Sequence, residues 1–424
     1  LRALVENTPI RGMNFQWYYA DAMEEILNST GGEALRYIAF ENRATDGQTS
    51  PVLEALAQAS GGPLLERLSI QNGVKSDGDA QALATSFLEN LHRLDMQYGQ
   101  IKCSAAAAEA LLSAGWFQQL GQLGCGIGEE CGEVVVEHLS QLPKLHSLSL
   151  WRPSEAALLS LAEAEFAALR RLHLFGAKLT GQVNEALCQF RAPQLIELVL
   201  ESSGSKAADV RALLSSPLFG DQLRAVTFGG PRLNEAGLEL LANTACASQL
   251  RILRLHCGDS DLVGRFKSLG STALAGDAFG GLTTLQIEYP YAKKAQRDTA
   301  KLLRKLSTPK LRHLTLKDCN FDDDCAAALA ENPSFANLTR LHIDQGYESP
   351  QVSESAAASL LRAANLQNLV EIELHQFPLG NALEVFADQT VLPNLKTGAI
   401  WGSAAPAASR ALIERERPIL HVGS

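Results

Sequence analysis

Leucines return along this chain in a short spacing, L-x-x-L-x-L, that recurs from one end to the other. Allowing conservative replacements, it begins at Ile10, Leu35, Leu65, Leu91, Leu120, Leu145, Leu169, Leu195, Leu223, Leu250, Leu282, Leu311, Leu338, Leu369 and Leu395. The cleanest copies are Leu145-His-Ser-Leu-Ser-Leu150, Leu169-Arg-Arg-Leu-His-Leu174 and Leu311-Arg-His-Leu-Thr-Leu316, and successive copies lie 24 to 32 residues apart. The fourth and sixth residues alternate as a strand requires, so both point to one side. Between the hexapeptides lie segments of helical spacing, such as Ser104-Ala-Ala-Ala-Ala-Glu-Ala-Leu-Leu, Glu155-Ala-Ala-Leu-Leu-Ser-Leu-Ala, Ala208-Asp-Val-Arg-Ala-Leu-Leu and Ser353-Glu-Ser-Ala-Ala-Ala-Ser-Leu-Leu. Asp or Glu often opens them, which suits the positive end of a helix dipole. Each unit therefore reads as strand, loop, helix, loop. No unit can bury its own apolar face, so neighbours must stack. Each inward leucine contributes roughly 1.5–3 kcal/mol on burial. Helices take more room than strands, so the stack is expected to bend. Parallel strands would line the concave face and helices the convex face of a right-handed α/β horseshoe. Residues 1–424 then form a single domain of about fifteen repeats.

This spacing resembles that of leucine-rich-repeat proteins, in particular the helix-containing subtype similar to ribonuclease inhibitor, and the resemblance covers essentially the whole chain. The Ala-rich helices and Arg-rich hexapeptides are also similar to bacterial repeat proteins that carry a short companion domain ahead of the array. One departure matters. The resemblance implies Asn or Cys at the ninth position of each repeat, bonding to loop backbone. Here that position is mostly small or irregular: Gly73, Gly99, Pro153, Ala177, Pro231, Gly258, Pro290 and Gly346, with Cys319 conforming. The turn after the strand is thus expected to be held by backbone and Gly/Pro geometry, with uneven curvature. For function the resemblance implies an array that binds a protein partner. It also includes effector ubiquitin ligases and immune receptors in which such an array recognises a target while another domain acts. The alternative is accordingly the recognition half of a larger effector or sensor. The chain opens on Leu1 and reads there as the end of a helix, so further chain ahead of it is expected.

Composition narrows the picture. The 424 residues are 46% hydrophobic and 20% charged, with a formal net charge of −10. That length is ordinary for a stack whose core grows lengthwise, and the acidity argues against a nucleic-acid binder. The eight cysteines are too few for a disulfide framework. They also lack zinc-site or CxxC spacing, Cys125/Cys131 and Cys319/Cys325 both being six apart. They read as reduced thiols in a cytoplasmic protein. No apolar stretch reaches bilayer length, and no signal-peptide pattern is present. No nucleophile–base pair or cofactor motif stands out, so the reading is a non-catalytic scaffold without cofactor.

Candidate chemistry lies on the strand positions that would face the concavity. Those positions hold more Lys and Arg than Asp and Glu, against the acidity of the chain as a whole. They also hold His92, His146, His173, His256, His313, His342 and His375, with Trp17, Trp151 and Trp401. Arg and aromatic residues are the types enriched at interface cores. The densest group is His146, Trp151, Arg152, Arg170, Arg171, His173 and Phe175, with Arg251, Arg254 and His256 three repeats on. Trp151 and Phe175 occupy the same position on adjacent strands and should stack. A protein partner is expected on His146, Trp151, Arg152, Arg171, His173, Phe175, Arg254 and His256. The same register sets Arg36 beside Glu66, Arg171 beside Glu197, Arg340 beside Glu371 and His342 beside Glu373, pairs that can simply knit the sheet.

Other features read as structural. His342, Glu373 and His375 could converge on a metal, but nothing in the sequence fixes the groups that would orient them, and no metal is expected. The Gly-rich stretch 121–132 matches no phosphate-binding motif, and Leu120, Leu123 and Cys125 keep it in strand register. Phe321-Asp-Asp-Asp-Cys325 lacks a calcium-loop pattern, and its acidic residues suit the opening of a helix. Two long spacings, holding 270–281 and 344–351, are expected to be insertions. The apolar pair Ile419 and Leu420 is expected to be covered by absent chain or a second copy.

Overall fold

The computed structural model describes residues 11–15, 25–27, 34–45, 47–59, 64–202, 212–229, 235–256, 274, 276–288, 298–319, 321–345, 352–377, 379–402 and 406–423. The chain divides into two compact units, Leu1–Ser203 with Ser216–Leu218, and Gly204–Ser215 with Phe219–Ser424.

In the first unit the strands are β1 (Gly12–Phe15), β2 (Tyr37–Glu41), β3 (Arg67–Gln71), β4 (Gly73–Val74), β5 (Arg93–Ile101), β6 (Gln122–Ile127), β7 (Ser147–Trp151), β8 (Arg171–Ala177) and β9 (Glu197–Ser202). They alternate with helices α1 (Pro51–Gln58), α2 (Asp77–Thr85), α3 (Ala105–Leu112), α4 (Gly132–Gln141), α5 (Glu155–Glu163) and α6 (Gly181–Leu187). The second unit carries β10 (Ala225–Gly229), β11 (Ile252–His256), β12 (Thr284–Glu288), β13 (His313–Lys317), β14 (Arg340–Asp344), β15 (Glu371–His375), β16 (Thr397–Trp401) and β17 (Leu420–Val422). Its helices are α7 (Glu235–Ala242), α8 (Asp298–Lys305), α9 (Asp323–Glu331), α10 (Glu354–Leu361) and α11 (Ala407–Glu416). Within each unit neighbouring strands pair in parallel and in register, as in Leu148↔Leu172 and Leu314↔Leu341. This is the α/β leucine-rich-repeat solenoid.

The hexapeptide explains the core. Every first-position leucine from Leu35 to Leu395 is buried, and so are the paired residues at positions four and six, for example Leu148 and Leu150 or Leu314 and Leu316. The residues between them alternate outward, leaving one face of each strand ladder open while helices cover the other. The helices start where the sequence places them. Ser104, Ser154, Thr180, Asp322 and Ser353 each accept a backbone N–H from the first helical turn.

The turn after the strand departs from an asparagine ladder in an instructive way. The eighth position of several repeats lies in the left-handed region: Asn72, Arg152, Gly176, Asp318, Gln376 and Gly402. In three of these the backbone N–H donates to the seventh-position carbonyl of the following repeat, Arg152 to Phe175, Asp318 to Asp344 and Gln376 to Trp401, at 2.6–2.7 Å. Backbone geometry therefore does hold the turn, one residue earlier than expected. Cys319 conforms, its Sγ lying 3.6 Å from the Ile287 carbonyl. Pro231, Gly258, Pro290 and Gly346 lie outside the described residues. An asparagine ladder exists at the other end of the strand. Asn337, Asn368 and Asn394 donate to the carbonyls of Pro309, Ala336 and Gln367 in the repeat before, at 2.8–3.0 Å.

Two local readings are settled by burial and hydrogen bonds. Residues 122–127 are β6 and α4 opens at Gly132, so the Gly-rich stretch is strand and turn. The acidic run is fully occupied: Asp322 caps α9, Asp323 accepts from Ser353, and Asp324 pairs with Arg304 at 2.9 Å. One expectation is corrected. Leu420 is not left for a missing segment, because β17 returns beside β16 and its side chain fills the space over Gly398, where the repeat lacks its fourth-position leucine. Ile419 stays exposed. Of the long spacings, 277–279 is a short 3-10 turn that buries Phe279, while 346–351 and the segment before Leu274 lie outside the described residues.

Candidate functional site

The exposed group on β7 and β8 follows from register. Ser147 lies beside Arg171, Ser149 beside His173 and Trp151 beside Phe175. The inward leucines of both strands are buried, so these residues share the open face. Trp151 and Phe175 stack with ring centroids 4.1 Å apart and planes 11° from parallel, and His173 meets Phe175 edge-on at 5.8 Å. Both aromatic rings are only partly buried. Such a stack in a dry setting contributes about 0.5–1.5 kcal/mol beyond area, and here one side of it still faces solvent.

Charges frame the stack. Arg171 Nε lies 3.3 Å from Glu197, whose other oxygen is 3.7 Å from His173 Nε2. His146 sits one strand position before Ser147, its Nδ1 3.1 Å from the Lys144 carbonyl and its Nε2 3.4 Å from Gln122. Arg152 holds a left-handed backbone, φ 45°, and its side chain passes over Gly176, where a Cβ would come within 2.9 Å of Arg152 Cγ. Of the six first-unit candidates, Trp151, Arg152, His173 and Phe175 come together, while His146 and Arg171 lie on the same face at the opposite end of the two strands. Arg254 and His256 lie on β11 in the second unit, where His256 Nε2 is 3.3 Å from Gln286 and 3.9 Å from Glu288. Trp17 lies outside the described residues.

The four cross-strand pairs anticipated from register are all present. Arg36–Glu66 is 3.6 Å, Arg171–Glu197 3.3 Å, Arg340–Glu371 2.9 Å and His342–Glu373 3.2 Å. All are partly exposed, and pairs of this kind contribute about 0–1 kcal/mol each. On the same face of the second unit, burial pushes the His313 and His342 imidazoles below the ordinary histidine range, the Arg340 guanidinium adding to the effect at His313. Burial, with Asp344 and Glu288 nearby, raises the Asp318 carboxyl.

One feature was not legible beforehand. Beyond the ends of β5–β7 an open groove of about 760 Å³ is lined by Lys75, Lys102, Arg152 and Lys178 against Glu129, Glu130 and Glu155. A second groove of about 520 Å³ shares Lys75, Lys102 and Arg152 and reaches Trp151. Arg152 therefore stands between the aromatic stack and a shoulder in which four cations face three carboxylates. No spacing rule links Lys75, Lys102 and Lys178, which stand at the eleventh, twelfth and tenth positions of their repeats. Cys103 and Cys131 also line this groove, where hydrogen bonding from Cys103 lowers the Cys131 thiol and raises its partner. Burial pushes Cys125 up to about 12. Among the described residues Cys103, Cys125, Cys131, Cys188, Cys246, Cys319 and Cys325 are free thiols. No described helix is long and apolar enough to cross a membrane.

No protein-family model and no curated protein sequence matches this chain. Solved structures do. A Rad7–Elc1 complex from yeast is similar at 17% identity over 82% of this chain and 83% of that one, with a TM-score of 0.48. A TLR13–ssRNA13 complex is similar at 14% identity over 100% of this chain and 62% of that one, TM-score 0.40. A leucine-rich-repeat protein of Leptospira interrogans is similar at 12% identity over 97% and 100%, TM-score 0.38. At these identities no residue role carries across, and the fold stands on the strands and helices themselves.

Proposed function

We propose that this chain is a non-catalytic interaction scaffold that holds a protein partner on its open strand face. The observation that carries the reading is the Trp151–Phe175 stack, an aromatic pair on the uncovered side of the sheet, framed by Arg152, Arg171 and His173. A sheet face needs no stacked aromatics for solubility, and the ion pairs alongside already knit neighbouring strands. Large rings with forked cations beside them are the residue types on which partners anchor. The second groove, where Lys75, Lys102 and Arg152 lie beside Trp151 without a lining carboxylate, favours a partner segment that carries acidic side chains. Arg254 and His256 offer a second cationic contact area on the second unit.

The test is affinity capture from the native host, followed by affinity measurement with the captured partner. The variant Trp151→Ala with Arg171→Ala should lose about 100-fold in affinity or more, by the usual cost of removing two anchors. A control on the helix side, Glu137→Ala with Glu163→Ala, should stay within about 3-fold, both variants keeping the parent melting temperature. Equal losses on the two faces would refute the reading.

A further inference from the structure

We propose that His342, Asp344 and His375 form a binding site for a divalent transition-metal ion, zinc above all, on the open strand face of the second unit, with Glu373 orienting His342.

The site is built by two adjacent strands in register. On β14 and β15, His342 lies beside Glu373 and Asp344 beside His375. Leu341 and Ile343 are buried, so His342 and Asp344, two residues apart, both project to the open side. One ligand atom from each of His342, Asp344 and His375 lies within 4.8 Å of the others. Tetrahedral zinc with donors at about 2.0–2.2 Å sets those donors roughly 3.3 Å apart. Small rotations of two side chains close that difference, and the His342 and His375 rings are already 5.2 Å apart by centroid.

A second observation separates this cluster from an ordinary cross-strand ion pair. In Arg340–Glu371, next to it on the same strands, the two charges answer each other directly. His342 has further capacity. Its Nδ1 lies 3.2 Å from the Glu373 carboxylate, which accepts hydrogen bonds, so Nδ1 carries the ring hydrogen. That leaves Nε2 with its lone pair, and Nε2 is a buried atom with no hydrogen-bond partner among the described residues. A buried acceptor without a partner is costly, and a metal ion satisfies it. Carboxylate bonding the far nitrogen of a metal-ligating histidine is the usual way such a ring is oriented and made more basic. Glu373, which the sequence offered as a third ligand, is therefore the orienting group, and Asp344 takes the ligand position instead.

The local charge suits a cation. Asp344, Glu373 and Asp318 outweigh Lys317, which sits beside Asp344 on β13 and is the group a bound ion would displace. Two imidazoles with one carboxylate select zinc and its transition-metal neighbours over magnesium and calcium, which prefer all-oxygen shells. Three protein ligands leave one position open toward the strand face, for water or for a donor from a bound partner. The inference rests on these residues alone and does not depend on the protein partner proposed above.

The test uses the full chain without an affinity tag, stripped with chelator and titrated with zinc by calorimetry. One ion per chain should bind with a dissociation constant of about micromolar or tighter, while magnesium and calcium give no heat at that site. His375→Ala and Asp344→Asn should each weaken zinc by about 100-fold or more, and Glu373→Gln by about 10- to 100-fold. All are partly exposed positions, and circular dichroism checks that the variants fold. Cobalt substitution of the parent chain gives a reading that needs no variant: the intense visible bands of a four-coordinate ion are expected. Absence of zinc binding, binding unchanged in His375→Ala and Asp344→Asn, or the weak spectrum of six-coordinate cobalt would each overturn the proposal.

Discussion

At the level of single residues, polar groups inside the solenoid matter as much as the leucines. Asp79 is fully buried in the first unit, yet it faces no cation among the contacts that hold it. Its carboxylate accepts from Asn42 Nδ2 at 2.8 Å and from the backbone N–H groups of Ser50 at 2.7 Å and Lys75 at 2.9 Å. Three donors converging on one carboxylate join the turns of two repeats. Asp79→Ala strands those donors in a dry site and should lower the unfolding free energy by about 2–4 kcal/mol in a denaturant titration. A loss below about 0.5 kcal/mol would mean water replaces the carboxylate. This residue was not legible in the sequence, where an acidic residue opening a helix reads as a surface complement to the dipole. Its burial depends on Asn42, 37 residues away. The same holds for Arg417, buried near the end of the chain and donating to the carbonyls of Leu392, Asp388 and Val391. By contrast, the Trp151–Phe175 stack was readable, because parallel strands in register set equal repeat positions side by side.

Among elements, the helices are linked from repeat to repeat by their first turns. The residue opening one helix accepts from the N-cap of the next. Asp77 of α2 takes Ser104 N–H and Oγ–H, Glu155 of α5 takes Thr180 Oγ–H, and Asp323 of α9 takes Ser353 N–H and Oγ–H. Each cap residue thus serves its own helix and the preceding one. Ser353→Ala should cost about 1 kcal/mol by loss of the cap. Because Asp323 shares that bond, the double variant with Asp323→Ala should be less destabilised than the sum, with a coupling of about 0.5 kcal/mol or more. Strict additivity in the cycle would show the two contacts to be independent. The acidic openings were visible in the sequence, and the dipole argument anticipated them. The link to the next repeat was not, since it depends on how far each loop carries the following helix. β17 was missed for a related reason: three residues after a helix carry too little alternation to read as a strand, and only the absent side chain of Gly398 hints that a neighbour must supply Leu420.

For the molecule as a whole, the repeat carried most of the fold into view, because the same burial requirement is stated again at every Leu-x-x-Leu-x-Leu. The grouping into two compact units left no such mark: Leu195 and Leu223 follow one another at an ordinary spacing. The division of chemistry between faces is clear in both sequence and structure. Apolar residues are consumed by stacking, acidic residues open several helices, and the uncovered strands carry Arg and His paired with Glu, together with Trp151 and Trp401. Surface left open in this way, with stacked aromatics in it, is the physical basis for the binding role proposed above. The most direct test of that role is hydrogen exchange on the chain with and without its captured protein partner. The account predicts slowed exchange in β7 and β8 and at the Arg152 and Ser154 amides of the turn between β7 and α5, with α4 and α5 unchanged. Protection confined to the helices, with the strand amides unaffected, would contradict it.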